Sequence, residues 1–189
     1  MDNIKLKHLV QNHLRAVFTL AVLFSVFTAN AQRIGLKTNA LYWAAMSPNL
    51  GVELRVNRHL TFNFEGTYSF LNVGKNDVNA IMFTPEMRYW FSARPQAGHF
   101  IGLAGIGANY DITKDQACHK GDAFGAGLTY GYSFVLSRHW SLEATIGAGQ
   151  VYRHEKSYAK GSAEPEQVNV KKWQWAPIKV GATFVYIIK

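Results

Sequence analysis

Eight ionisable residues share one parity within a series of alternating segments: Lys37, Glu53, Arg55, Glu65, Glu86, Arg88, Glu143 and Lys179. Four are acidic and four basic. Carboxylates and cations gathered on one surface can pair, neutralising one another and tying neighbouring segments together. They can also form a relay for protons or ions. An unpaired charge held away from water costs several kcal/mol. Balanced signs therefore point to pairing, and these residues are expected to form a salt-bridged network rather than an ion path.

Catalytic patterns are absent from the rest of the chain. There is no Gly-x-Ser-x-Gly elbow, and no metal-spaced His pair on one segment. Cys118-His119 with Asp115 and Asp122 offers a loop donor set, but such clusters are more often simply solvated. His154 with Ser157 is the nearest pair with hydrolytic chemistry, and two such residues in a polar loop are weak grounds for it. The expectation is a non-enzymatic protein with no metal and no other cofactor. Cys118 is the single cysteine, so no intramolecular disulfide framework exists.

The segments that carry the charges alternate with period two, the mark of strands whose two faces meet different surroundings. Eight are expected: 34–44, 49–57, 60–70, 81–91, 99–110, 124–136, 140–152 and 173–188. In the third, Phe62, Phe64, Tyr68 and Phe70 oppose Thr61, Asn63, Glu65 and Thr67. In the eighth, Ile178, Val180, Phe184 and Tyr186 oppose Lys179, Gly181 and Thr183. The fifth is glycine-rich and does not declare its facing. The connections at 57–59, 92–98 and 137–139 are compact. Those at 111–122 and 153–172 are longer, 71–80 is intermediate, and 45–48 is short. Aromatic residues gather near segment ends, at Tyr42, Trp43, 89–91, Phe134, Trp140, Tyr152, Trp173 and Trp175. Amphipathic rings favour a membrane interface, so two girdles are expected.

The two ends of the chain point to a compartment. Lys5, Lys7 and Arg15 precede an uncharged run, 16–27, and a small-x-small site at Ala29-Asn30-Ala31. This is the pattern of a secretory signal peptide over 1–31, too short in its apolar run to span a bilayer. At the other end, Gly181, Phe184 and Tyr186 resemble the C-terminal signal by which barrels are recognised and inserted into the bacterial outer membrane. The chain closes on Ile187-Ile188-Lys189 rather than on an aromatic residue. Only helices or closed barrels satisfy their backbone within lipid. No segment after residue 31 has the period of a long amphipathic helix.

The expected fold is therefore all-β. A cleaved signal peptide, 1–31, precedes a single antiparallel eight-stranded transmembrane barrel, 32–189, in the outer membrane of a Gram-negative cell. The outward face would meet lipid and the inward face the lumen. An eight-stranded interior is just filled by side chains, so the charges would plug it. The net charge of +8 is dispersed, and nucleic acid is excluded as a partner of an exported chain. Membrane lipid, lipopolysaccharide and the barrel-insertion machinery are the expected partners.

The runs 36–42 (LKTNALY), 47–53 (SPNLGVE), 85–91 (PEMRYWF) and 140–147 (WSLEATIG) resemble a Bacteroidetes family of exported proteins catalogued as a domain of unknown function. The resemblance covers nearly all of the chain after the signal. It implies an outer-membrane barrel with a structural or cell-surface interaction role. Because some members lie in gene neighbourhoods for fimbriae, it also implies a fimbrial or other cell-surface protein as partner, in assembly or adhesion. It carries over no catalytic residue. Two other readings stay open at this point. One is a lipid-modifying outer-membrane enzyme, which a lipid A mass spectrum of a deletion strain would reveal. The other is a soluble periplasmic barrel holding an apolar ligand, whose apolar face would point inward.

Overall fold

The computed structural model describes residues 34–73, 76–94, 96–114, 117–162 and 165–188. The expected signal peptide and Asp115 lie outside these. Eight strands form one closed antiparallel ring: β1 (Ile34–Asn39), β2 (Asn49–Arg55), β3 (Leu60–Val73), β4 (Asn76–Trp90), β5 (Gly98–Lys114), β6 (Ala117–Val135), β7 (Trp140–Ala159) and β8 (Val170–Ile188). Each strand pairs with the next, and β8 returns to β1 through pairs such as Leu36–Tyr186 and Thr38–Phe184. Among the described residues one short helix, α1 (Ala40–Ala44), follows β1.

Closure leaves no free edge, and the period-two pattern assigns the faces. Outward stand Phe62, Phe64, Ile81, Phe83, Leu103, Leu128, Ile146, Val180 and their neighbours, all exposed. Inward stand Thr61, Asn63, Glu65, Thr84, Glu86, Arg88, Thr129, Ser141 and Glu143, all buried. The barrel is thus apolar outside and polar within, the inverse of a soluble protein. Aromatic rings mark both ends of the apolar belt. At the end bearing the compact turns, Trp140 packs on Tyr186 at 5.0 Å. Toward the other end, Phe124, Tyr152 and Trp173 meet at 5.2–6.2 Å.

Local chemistry sets the turns. In the β2–β3 turn the Asn57 side chain accepts from the backbone N–H of His59 (2.8 Å) and Leu60 (2.9 Å). Ser137 does the same for His139 and Trp140 in the β6–β7 turn, at 3.4 and 3.2 Å. A side-chain acceptor bonded to the backbone two and three residues on is how Asn and Ser seed tight turns. Gln96 lies in the connection between β4 and β5. At φ 63° it is buried there, and its carbonyl accepts from the Ser133 hydroxyl.

Several sequence expectations are corrected. The first strand ends at Asn39 rather than residue 44, because the Asn39 side chain accepts from Leu41 N–H (3.1 Å) and caps α1. The supposed long connection at 111–122 is largely strand, with β5 reaching Lys114 and β6 starting at Ala117, and the one at 153–172 is shortened, with β7 running to Ala159 and β8 starting at Val170. Polar residues on both faces had hidden that ladder. The 71–80 connection is likewise mostly strand. Ile178 does not face outward. It is an extra residue in β8 between the Ala148–Pro177 and Gly147–Lys179 pairs, so both Ile178 and Lys179 turn inward. Pro177 lacks an N–H for the ladder, and a bulge is where a strand tolerates that. Trp90 leaves the girdle: it is wholly buried, its indole N–H donating to Thr61.

The glycine-rich strands explain their own ambiguity. Gly127 and Gly149 face each other across β6–β7. A Cβ at either would lie 2.3 or 2.2 Å from a carbonyl oxygen of the adjoining strand. The adjoining backbones approach too closely there for any side chain, which is one use of glycine inside a strand.

Candidate functional site

The interior is layered along the strands. Next to the compact turns lie Gln96, Trp90, Phe100, Val185 and Ile187, all buried. The charged residues follow. Beyond them Ala104, Val151 and Ile178 form a small apolar layer. Toward the far end, Glu155 is buried against Tyr110 and Arg153.

Seven of the eight expected charges meet in one cluster, each at most 4% exposed. Lys37 on β1 bridges Glu53 on β2 and Glu143 on β7, the latter at 2.6 Å. From β4, the Arg88 guanidinium spans three carboxylates: Glu86 at 2.7 Å, Glu143 at 3.0 Å and Glu53 at 3.2 Å. It also stacks 4.5 Å over the Phe100 ring, where a cation is attracted by the ring's negative face. Lys179 on β8 joins Glu65 on β3 (2.9 Å) to Glu86 (3.0 Å).

Neutral donors complete the shell. Thr61 donates to Glu53 Oε1 and Thr129, on β6, to Glu86 Oε1. Asn49 donates to Glu65 Oε1 at 2.6 Å. On β5, Gly102 supplies space: a Cβ there would lie 2.3 Å from Thr129 Oγ1 and 2.7 Å from Glu86 Oε1. Every strand of the ring thus contributes to the cluster.

Arg55 does not join. It is only part-buried, and its Nε donates to Asn57 O at the β2–β3 turn (3.2 Å). It shares the inward parity but sits one step too near the barrel end, where the turn carbonyl is the closer acceptor. The cluster therefore holds three cations, not the four expected.

The residues of the C-terminal pattern occupy β8 at the closing seam. Phe184 and Tyr186 point outward, 42% and 39% exposed. Gly181 points inward, and a Cβ there would meet Asn39 Nδ2 at 2.7 Å. That amide donates to Val180 O, and the Asn39 oxygen accepts from Ala182 N–H, so Gly181 leaves room for a side chain that ties β1 to β8.

The other candidates do not come together. His154 and Ser157 are three residues apart on the extended strand β7, an odd spacing that puts them on opposite faces. Cys118 is buried with its sulfur 3.6 Å from Thr113 Oγ1. His119 Nδ1 lies 3.3 Å from Glu155 Oε1. Among the described residues, no three His, Cys, Asp or Glu side chains converge as metal ligands do. The Tyr110–Arg153–Glu155 group escaped the sequence reading because Tyr110 ends the glycine-rich segment whose facing is undeclared, and Arg153 and Glu155 fall in a stretch assigned to a loop. The signal was there, in the alternation of Val151, Arg153 and Glu155.

A closed eight-stranded antiparallel barrel with an apolar exterior and a buried ion-pair cluster is the class that fold and site define. Residues 17–188 match a family described as a protein of unknown function, DUF3575, and the chain belongs to it. No curated protein matches the chain.

Proposed function

We propose that this protein is an outer-membrane barrel of a Gram-negative cell, exported by a cleaved signal peptide over 1–31. In this reading its lumen is closed by the charge cluster, and it acts through its rim in a structural or cell-surface interaction role. One observation carries the reading: the barrel is apolar on the side that must meet its surroundings and ion-paired on the side that would have to conduct. A continuous apolar belt of this size on a water-soluble chain would aggregate, whereas in a bilayer it is the lipid-facing surface. The outward facing of that belt also disfavours a soluble carrier, whose apolar face would line its lumen.

The plug follows from the chemistry of the cluster. Moving any one of its charges breaks pairs that no water replaces. Each carboxylate is bound to Lys or Arg and shut away from solvent, which leaves no acid free to serve a substrate, so the reading assigns no catalysis. Membrane lipid and lipopolysaccharide would surround the belt. The barrel-insertion machinery would read Gly181, Phe184 and Tyr186. A fimbrial or other surface protein is the partner that the family resemblance suggests.

Cell fractionation tests the compartment. Wild-type protein is expected in the outer membrane, folded and running faster on a gel before boiling than after. Phe184→Ser with Tyr186→Ser removes both outward rings of the insertion pattern and should reduce outer-membrane protein at least several-fold, the rest being degraded in the periplasm. Soluble wild-type protein, or unchanged levels of the double variant, would count against the reading.

A further inference from the structure

Above the charge cluster the inner wall changes character. Met82 on β4, Ala108 on β5, Ala123 on β6, Arg153 on β7 and Lys172 on β8 are successive register partners, so they share the inner face. Met82, Ala108 and Ala123 are only part-buried, as are Ile106 and Ala176 nearer the cluster. Below them the apolar layer of Ala104, Val151 and Ile178 is buried and forms a floor. Small apolar side chains of this kind neither fill a lumen nor pair across it, whereas those of the cluster do both. An eight-stranded barrel whose interior is not filled by side chains has room for one small ligand.

Two cations mark one side of this mouth. Arg153 and Lys172 lie directly opposite each other across β7–β8, an arrangement that like charges disfavour. Glu155 engages Arg153 at Nε (3.1 Å) and Nη2, and it also accepts from the Tyr110 hydroxyl. Lys172 is exposed, and among the described residues no carboxylate pairs with it. β8 also runs past its seam with β1. It pairs with β1 only from Thr183 to Ile188, but with β7 back to Val170. Lys172 therefore stands on a stretch of β8 with no described strand on its other side, beside Trp175, itself 74% exposed.

We propose that this mouth binds an anionic amphiphile, a single acyl chain with a carboxylate or phosphate head. The head lies between Arg153 and Lys172, where an anion relieves their repulsion and accepts charge-assisted hydrogen bonds from both. The tail packs on Ala123, Ile106 and Ala176 and ends at the floor. On β7 that depth runs from Arg153 to Gly149, the register partner of Ala176, roughly 13 Å of strand. A medium-length chain suits it. The charge cluster beneath stays closed, so binding here is not passage. The inference rests on the inner wall and not on the compartment.

Photolabelling of the purified barrel in lipid nanodiscs tests it, with a medium-chain fatty acid that carries a diazirine near its methyl end. Peptide mass spectrometry should place label on the inner face, at Ile106, Ala123 or Ala176, besides the general lipid-like labelling of outward Leu128 and Ile146. Lys172→Gln should reduce the inner label at least several-fold and leave the outer label unchanged, and the uncharged alcohol analogue should label the inner face as weakly. Ala176→Phe, which fills the mouth, should abolish the inner label. The gel shift on boiling confirms that each variant is folded. Should Ala176→Phe not fold, Lys172→Gln and the alcohol analogue decide. Unlabelled decanoate and a lysophosphatidic acid, added as competitors, tell a carboxylate head from a phosphate head by which displaces the inner label at lower concentration. Label confined to the outer wall would overturn the proposal. So would inner label that neither competitor displaces, or that Lys172→Gln and loss of the probe's charge leave unchanged. Inner label in a protein that fractionates as soluble would retire the compartment reading and leave this one standing.

Discussion

Arg88→Met is expected to be the most damaging single replacement inside the barrel, costing roughly 3–5 kcal/mol or more. One guanidinium holds three carboxylates, at 2.7, 3.0 and 3.2 Å, from three different strands. Met fills similar space and keeps an apolar contact to Phe100, so the loss measures charge rather than volume. Without Arg88 the cluster keeps four carboxylates against Lys37 and Lys179, and taking one partner from a buried pair leaves the other charged and unsolvated. Adding Glu86→Gln to Arg88→Met should recover part of the loss, because Glu86 retains only Lys179 as a cation partner. Urea unfolding in lipid vesicles, followed by tryptophan fluorescence, checks both. A loss below about 1 kcal/mol, the level of an exposed pair, would mean that water reaches the cluster.

A charge on the outer wall gives the second large effect. Leu128 is 70% exposed in the middle of β6, beside Leu103 and Ala148. In a bilayer, Leu128→Arg should cost roughly 2–4 kcal/mol, and Trp175→Arg, nearer the rim, roughly 0–1 kcal/mol in charge placement. Leu128→Phe should be close to neutral at the same position. The same argument applies to Phe64→Arg on β3. In water an exposed Leu exchanged for Arg is harmless, so this experiment also separates a membrane barrel from a soluble one. Refolding equilibria in vesicles give the values. Equal stability of Leu128→Arg and Leu128→Phe would contradict lipid contact at this face.

How much of this was legible before the structure depends on what each residue has to report. Phe62, Phe64, Glu65 and Thr67 declare the facing of β3 because over 61–70 one face carries Phe and Tyr and the other Thr, Asn, Glu and Ser. The same contrast brought Lys37, Glu53, Glu65, Glu86, Arg88, Glu143 and Lys179 to one surface. Where the contrast fails, so does the reading. The upper parts of β5, β6 and β7 carry polar residues on both faces, and they passed for loops. Ile178 was misplaced because parity holds only until a bulge, and Pro177 was the clue to one. Arg55 shared the parity of the cluster but not its depth. Parity gives the face of a residue, whereas depth depends on strand stagger, which emerges only when the ring closes. Trp90 was assigned to a girdle on residue type, although its even position beside Glu86 and Arg88 already put it inside. The capping role of Asn39 is the kind of local competition between side chain and backbone that period-two patterning does not register.

The central claim is that this barrel lies in a membrane with its lumen closed. Planar-bilayer recording of the purified, refolded wild-type protein tests it most directly. The account predicts that insertion produces no steady conductance at neutral pH. Arg88→Met, if it still folds, should produce at most brief flickering events as its carboxylates part. A stable, high-conductance pore in wild type would contradict the account, because seven buried charged residues bridged across the lumen leave no aqueous path.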